Sequence, residues 1–188
     1  MRELVFGIDF GTTYSTIAVC ERGGTARVIE GVGGERVTPT VVFFGPGDER
    51  IVGEGAVMRG ILEPDRAITG VKRLIGRGFD TRVVRDFMRT VPYAIEPDGQ
   101  RYCTVRIGDR NYPPDEIASA VFAELRERAR WATGAAVISA VVTVPAHFGA
   151  VERQAIQAAA VHAELDVIRI LAEPTAASVA YSTHARSG

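Results

Sequence analysis

Gly7-Ile8-Asp9-Phe10-Gly11-Thr12-Thr13-Tyr14-Ser15 is the stretch that decides the fold of this chain. The apolar run Leu4-Val5-Phe6 leads into it, and a second run, Thr16-Ile17-Ala18-Val19, follows at once. The pattern predicts a strand, a tight glycine turn and a returning strand. Gly11 falls where a Cβ would crowd the bend. Asp9 stands at the lip of the turn, with two threonines in its bend. Backbone N–H groups of Thr12, Thr13 and Tyr14 can then face an anion. Asp9 supplies the hard oxygen that magnesium prefers, directly or through water. This chemistry suits the phosphate tail of a nucleotide. The same residues also suit a plain hairpin with a satisfied Asp, so the decision rests on later segments.

The chain has 188 residues, enough for a single large domain or a compact pair of subdomains. An apolar share of 46% and a charged share of 24% are those of a globular protein, with a net charge of −1. That balance gives no footprint for nucleic acid or an anionic membrane. The longest apolar run, around residues 134–146, is interrupted by Ser139, Thr143 and Pro145 and is too short to span a bilayer. The start, Met1-Arg2-Glu3, does not read as a signal peptide. Cys20 and Cys103 have no metal spacing and are expected to be reduced and buried, in a cytoplasmic setting. Of 22 Lys and Arg side chains only Lys72 is a lysine. Either it is a chance survivor on a solvated face, or its compact ammonium does something an arginine fork does not.

Strands are expected over residues 4–10, 15–21 and 25–30, with turns at Arg22-Gly23-Gly24 and Gly31-Val32-Gly33-Gly34. Thr40 to Phe44 and Arg50 to Val52 read as a strand pair about the turn Gly45-Pro46-Gly47-Asp48. Gly53 to Gly60 and Ile68 to Ile75 read as short helices, the second ended by Gly76, with a weaker helix over Asp80 to Arg89. Tyr93 to Ile95 and Tyr102 to Ile107 read as strands about Pro97-Asp98-Gly99, followed by a turn at Gly108-Asp109-Arg110-Asn111. A longer helix begins at Pro113-Pro114-Asp115-Glu116, buries Ile117, Val121, Phe122 and Leu125, and closes at Gly134. Val137 to Val144 is expected to be a strand buried on both faces. Phe148 to Ala163 reads as a helix with Val151, Ala155, Ile156 and Ala159 inward. Asp166 to Leu171 is the next strand, and Pro174 to Tyr181 the last helix. The polar end, Ser182 to Gly188, reads as structureless. Trp131 is read as packing, His147 as a neutral packed imidazole, and His162 and His184 as incidental.

Two junctions carry chemistry. Val141-Val142-Thr143-Val144-Pro145-Ala146-His147-Phe148 is a strand stopped by a proline, which by itself is no more than a terminator. In Ala172-Glu173-Pro174-Thr175-Ala176-Ala177, Pro174 fits a first helical position, so Glu173 lies at a strand's carboxyl end, where open α/β sheets bind ligands. A helix-start acid favoured by the dipole reads equally well there.

Taken together, these strings resemble the heat-shock-70 chaperones of the DnaK type. The matching stretches are Gly7 to Ser15, Gly34 to Phe44, Val71 to Arg77, Val141 to Phe148 with Glu152-Arg153-Gln154-Ala155 after it, and Ala172 to Tyr181. The resemblance implies an α/β, actin-like and ribonuclease-H-like ATPase lobe: a mixed sheet flanked by helices, with an inserted α+β subdomain. Residues 1–38 and 112–188 would form the phosphate-binding sheet subdomain and 39–111 the inserted lid. A second nucleotide-binding lobe and a peptide-binding domain are expected to be missing from these 188 residues.

By this resemblance Gly11, Thr12, Thr13 and Tyr14 hold the phosphates of ATP or ADP. Asp9 and Glu173 hold Mg2+ through water. Lys72 reaches the γ-phosphate and the attacking water, and Glu173 orients that water, so Lys72, Glu173 and Asp9 form the catalytic set. Pro145 and Arg153 match the family's interdomain coupling relay. Implied partners are unfolded client polypeptides, a J-domain co-chaperone and a nucleotide-exchange factor, with no nucleic acid and no membrane. His147, Gly149, Ala150, Ala160 and Ala172 depart from the family pattern, mostly near the relay. An actin-like or sugar-kinase-like phosphotransferase lobe, or a degenerate regulatory module that does not hydrolyse, are the alternatives. The fragment alone is expected to be inactive or nearly so.

Overall fold

The computed structural model describes residues 4–21 and 25–185. The opening hairpin forms as its alternation dictates. β1 (Leu4–Phe10) pairs antiparallel with β2 (Tyr14–Glu21), with Phe10 opposite Ser15. Phe6, Ile8 and Phe10 are buried and the residues between them exposed, the period of two expected of a half-covered strand. β3 (Arg27–Val28) continues the meander on β2, while the expected turn at 22–24 lies outside the described residues.

β4 (Thr38–Pro39) also pairs with β2, and β5 (Val41–Phe44) opens a second, antiparallel sheet with β6 (Arg50–Val52). α1 (Glu54–Gly60) follows, and then β7 (Ala67–Thr69), which returns to β5. The segment 68–75 is therefore not the expected helix. Ile68 stands opposite Val42 in the sheet, Gly70 turns the chain at φ +64°, and only a single 3-10 turn, Val71–Arg73, remains helical. A Cβ on Gly70 would lie 2.8 Å from the Phe87 ring, so this kink is open only to glycine.

α2 (Arg82–Met88) precedes a third sheet of β8 (Ala94–Pro97), β9 (Cys103–Ile107) and β10 (Arg110–Tyr112). Arg110 and Asn111, expected in a turn, are thus paired with Ile107 and Arg106. The hydroxyl of Tyr93 donates to the Thr69 carbonyl at 2.5 Å, and burial pushes its pKa above the usual phenol range.

α3 (Pro114–Thr133) begins on proline and two acids and ends at Gly134 with φ +69°, as expected. Its stripe of Ile117, Val121, Phe122 and Leu125 is buried, and Phe122 stacks on Phe10 with centroids 4.9 Å apart. β11 (Ser139–Val144), α4 (Ala150–His162), β12 (Asp166–Ala172) and α5 (Glu173–Ala185) complete the chain. β1 pairs parallel with β11, and β11 parallel with β12, giving the order β12-β11-β1-β2-β3. One buried cluster runs from Phe6 and Phe10 through Ile68, Leu74 and Val105 to Phe122, Val142 and Ile156, so the three sheets and the helices share a core. The fold is a mixed α/β one, as expected.

Several expectations are corrected. β11 is not buried on both faces: Ala140, Val142 and Val144 are buried, while Ser139, Val141 and Thr143 are only half-buried. Val151 points outward at 49% exposure, because the inward face of α4 is set by Ile156, Ala159 and Ala160. Trp131 is 75% exposed and packs no core. Cys20 is half-buried rather than buried, whereas Cys103 is buried. Helix α5 continues through Ser182 to Ala185 instead of fraying, and residues 186–188 lie outside the described set.

Phe122→Ala is expected to lower unfolding free energy by about 3–5 kcal/mol, the usual cost of emptying a buried aromatic site, measured by urea denaturation. Burial, aided by the Asp98 charge, pushes the Cys103 thiol up to about 11. At pH 8 the native protein should therefore show Cys103 about a hundredfold poorer in thiolate than an ordinary cysteine. Mass spectrometry after brief iodoacetamide treatment should find it unmodified until the chain is unfolded.

Candidate functional site

The parallel register sets the site. Asp9 of β1 stands beside Thr143 of β11, and Thr143 beside Leu171 of β12, so the three strands end at one level. Just past those ends come Gly11 and Thr12 after β1, Pro145 after β11, and Glu173 after β12. This is the rim at which open α/β sheets collect ligands.

The hairpin bend is held tightly. A Cβ on Gly11 would sit 2.0 Å from the Tyr14 carbonyl oxygen, so no other residue fits this turn without opening it. Its far side is fastened to residues 38–40. The Thr40 N–H donates to the Thr13 carbonyl at 2.8 Å, and the buried hydroxyls of Ser15 and Thr40 share a hydrogen bond of 2.8 Å. Thr13 and Tyr14 are exposed, and Thr12 is half-buried. Asp9 is exposed as well, and its Oδ1 accepts a hydrogen bond from the Thr143 hydroxyl at 3.0 Å. Thr143 carries no signal in the sequence, where it reads as one β-branched residue among valines. Only the strand register makes it the neighbour of Asp9.

Lys72 arrives from the 3-10 turn that follows β7. Val71, Leu74 and Ile75 are buried on either side of it and fix the turn in the core. Gly76, at φ +66°, closes the segment against α4: a Cβ there would lie 3.0 Å from the backbone of Glu152. Lys72 is thereby held 6% exposed, its ammonium 6.0 Å from the centre of the Phe10 ring. It donates to Glu173 Oε1 at 2.8 Å, a contact between residues 101 positions apart, while the glutamate side chain stays 42% exposed.

Next to this pair a cleft of about 240 Å³ is lined by Thr12, Lys72, Arg73, Arg77 and His147, with Val83, Pro145 and Phe148 as its apolar wall. His147 is exposed rather than packed, and meets only the edge of the Phe148 ring at 5.4 Å. The structure thus brings Thr12, Lys72 and Pro145 to one cleft, Lys72 to Glu173, and Asp9 to the same rim through Thr143. Arg153 lies one step back: its Nε donates to the Phe148 carbonyl at 3.0 Å, and the Phe148 N–H donates to the Pro145 carbonyl at 3.1 Å.

Comparison with known proteins joins the geometry here. The family model described as Hsp70 protein matches residues 5–187. The chain belongs to the Hsp70 family. It is 39% identical over 184 residues to the mitochondrial heat shock 70 kDa protein of potato, Solanum tuberosum, covering 98% of this chain and 27% of that relative. The chain therefore spans about a quarter of the length of this curated Hsp70 relative. Membership accounts for the mixed α/β architecture and sets aside the sugar-kinase alternative. Among the described residues, no helix of this Hsp70 chain is long and apolar enough to cross a membrane. No group of three or more His, Cys, Asp or Glu side chains that could hold a metal occurs among them either.

Removing Glu173 leaves a nearly buried ammonium without its carboxylate. Because Glu173 is well exposed, the cost should fall well short of a fully buried pair. Glu173→Ala is expected to lower unfolding free energy by about 1 kcal/mol, and Glu173→Gln by less, by urea denaturation.

Proposed function

We propose that this chain is the first lobe of an ATP-hydrolysing chaperone domain, and that its rim binds the triphosphate end of ATP against a second lobe. The observation that carries this reading is the 2.8 Å contact of Lys72 with Glu173, beside a cleft that also holds Thr12. A buried lysine, a strand-end glutamate and a glycine-pinned threonine turn have a common use around a phosphoryl group.

In this reading the hairpin N–H groups of residues 12–14 and the Thr12 hydroxyl hold the β- and γ-phosphate oxygens. Lys72 places a fixed cation at the transferred group, where negative charge must be stabilised. Glu173 accepts a hydrogen bond from the attacking water and orients it. That water's oxygen bonds to the γ-phosphorus, the bond to the β,γ-bridging oxygen breaks with its electrons staying on ADP, and the protons end on inorganic phosphate. The donor set fits magnesium: Asp9 offers an exposed carboxylate with one oxygen bonded to Thr143, and magnesium commonly takes one or two carboxylates together with substrate phosphates and water. When bound, the ion would neutralise phosphate charge, with Asp9 and Glu173 holding it through water. Residues 1–38 and 112–188 act here as the phosphate-binding part and 39–111 as the lid that delivers Lys72.

The link Pro145–Phe148–Arg153 is read as the relay to a peptide-binding domain. Unfolded polypeptides, a J-domain co-chaperone and a nucleotide-exchange factor are the partners this implies. A cytoplasmic location goes with the reading, while the potato relative's printed name places that protein in the mitochondrion.

In the two-lobed protein Lys72→Ala should cut single-turnover ATP hydrolysis by about a thousandfold, the scale of losing one transition-state cation, with nucleotide affinity changed little. Unchanged turnover would remove Lys72 from the mechanism. The 188-residue chain alone should hydrolyse ATP negligibly, and turnover at the two-lobed rate would overturn the need for a second lobe.

A further inference from the structure

We propose that the cleft walled by Arg73, Arg77 and His147 is a second anion subsite, which takes the inorganic phosphate as it leaves the position between Thr12 and Lys72. The proposal rests on the nucleotide reading above and extends it to residues that reading leaves unused.

Charge in the cleft is one-sided. Lys72, Arg73 and Arg77 line it, His147 faces them from the loop after β11, and no carboxylate is among the lining residues. Two of the three permanent cations have a counter-charge set behind the wall. Lys72 is bonded to Glu173, and Arg77 Nη1 lies 3.3 Å from Glu152 Oε1. Arg73 has none among the described residues: its guanidinium rests on the Phe87 ring, 5.5 Å from the centroid, and so keeps its charge for the cleft. A guanidinium can offer two N–H groups to a pair of phosphate oxygens, which an ammonium cannot do in a fixed plane.

Position argues for the product rather than for an unrelated anion. Thr12 and Lys72, proposed above to hold the γ-phosphate, are themselves among the lining residues, so a released phosphate moves to Arg73 without crossing an apolar barrier. The wall is also firmly held. Glu152, whose side chain is 13% exposed, accepts from the Gly149 N–H at 3.1 Å while pairing with Arg77, and its backbone abuts Gly76. Arg77 and the His147 loop are therefore fixed by a single carboxylate. The volume of about 240 Å³ is roomy enough for a hydrated phosphate and cramped for a nucleotide.

The test is a titration of the isotope-labelled 188-residue chain with inorganic phosphate against chloride at matched ionic strength, followed by nuclear magnetic resonance. Saturable shifts are expected at the His147 imidazole and the Arg73 and Arg77 side chains, with a midpoint in the millimolar range. Arg73→Ala should raise that midpoint about tenfold, the scale of one charge-assisted hydrogen bond. Arg73→Gln, which keeps most of the stem on Phe87, should do the same with an unchanged thermal midpoint. Absence of a saturable shift at His147, or an unmoved midpoint in both variants, overturns the subsite. ATP binding by the two-lobed protein is scored separately. Phosphate binding here without ATP binding there would sink the nucleotide reading and with it the release role, leaving only an anion site, and ATP binding there without phosphate binding here would sink the subsite alone.

Discussion

Parallel pairing of β1, β11 and β12 is the constraint on which the rest depends. Because Asp9, Thr143 and Leu171 share one level, the three chain segments that follow these strands emerge side by side. A one-residue slip in either pairing would turn every side chain to the opposite face and scatter the rim. The buried alternation of Phe6, Ile8 and Phe10 against Ala140, Val142 and Val144 prevents that slip, since a shifted register would carry phenylalanine rings into water. Hydrophobic patterning thus fixes polar geometry at a distance.

The segment after β7 meets that rim through a different device. Two glycines in left-handed conformation, Gly70 and Gly76, bracket a short turn whose Val71 and Lys72 are buried, and so bring Lys72 to the rim. Each is crowded on its far side, Gly70 by Phe87 and Gly76 by the first turn of α4. The turn is too short to be stable by itself and takes its shape from Val71, Leu74 and Ile75 packed below. Strain-free backbone at the two glycines and apolar contacts between them together place a single ammonium.

Much of this is legible in the residues. The alternation of β1 and β2, the crowding at Gly11, the stripe of α3 and the proline starts of α3 and α5 follow from local rules that tertiary structure leaves intact. Segment 68–75 misleads because Ile68, Val71, Leu74 and Ile75 carry helical spacing. The same spacing serves a strand that turns at Gly70 and then makes one tight turn, and only sheet pairing decides between them. Trp131 lies two residues past buried Ala129, on the opposite side of α3, so its bulk counts for less than its phase. The meeting of Lys72 with Glu173 has no local signature at all. Residue chemistry marks each as unusual, and family resemblance alone joins them.

The lone lysine also gives the molecule a built-in reporter. A reagent that acylates side-chain amines has a single address here, and that address is nearly closed to solvent and held by a carboxylate. The rate of such labelling is therefore a gauge of how often the rim opens. The arginines, which supply every other strongly basic side chain, are silent to the same reagent and add no background to the gauge.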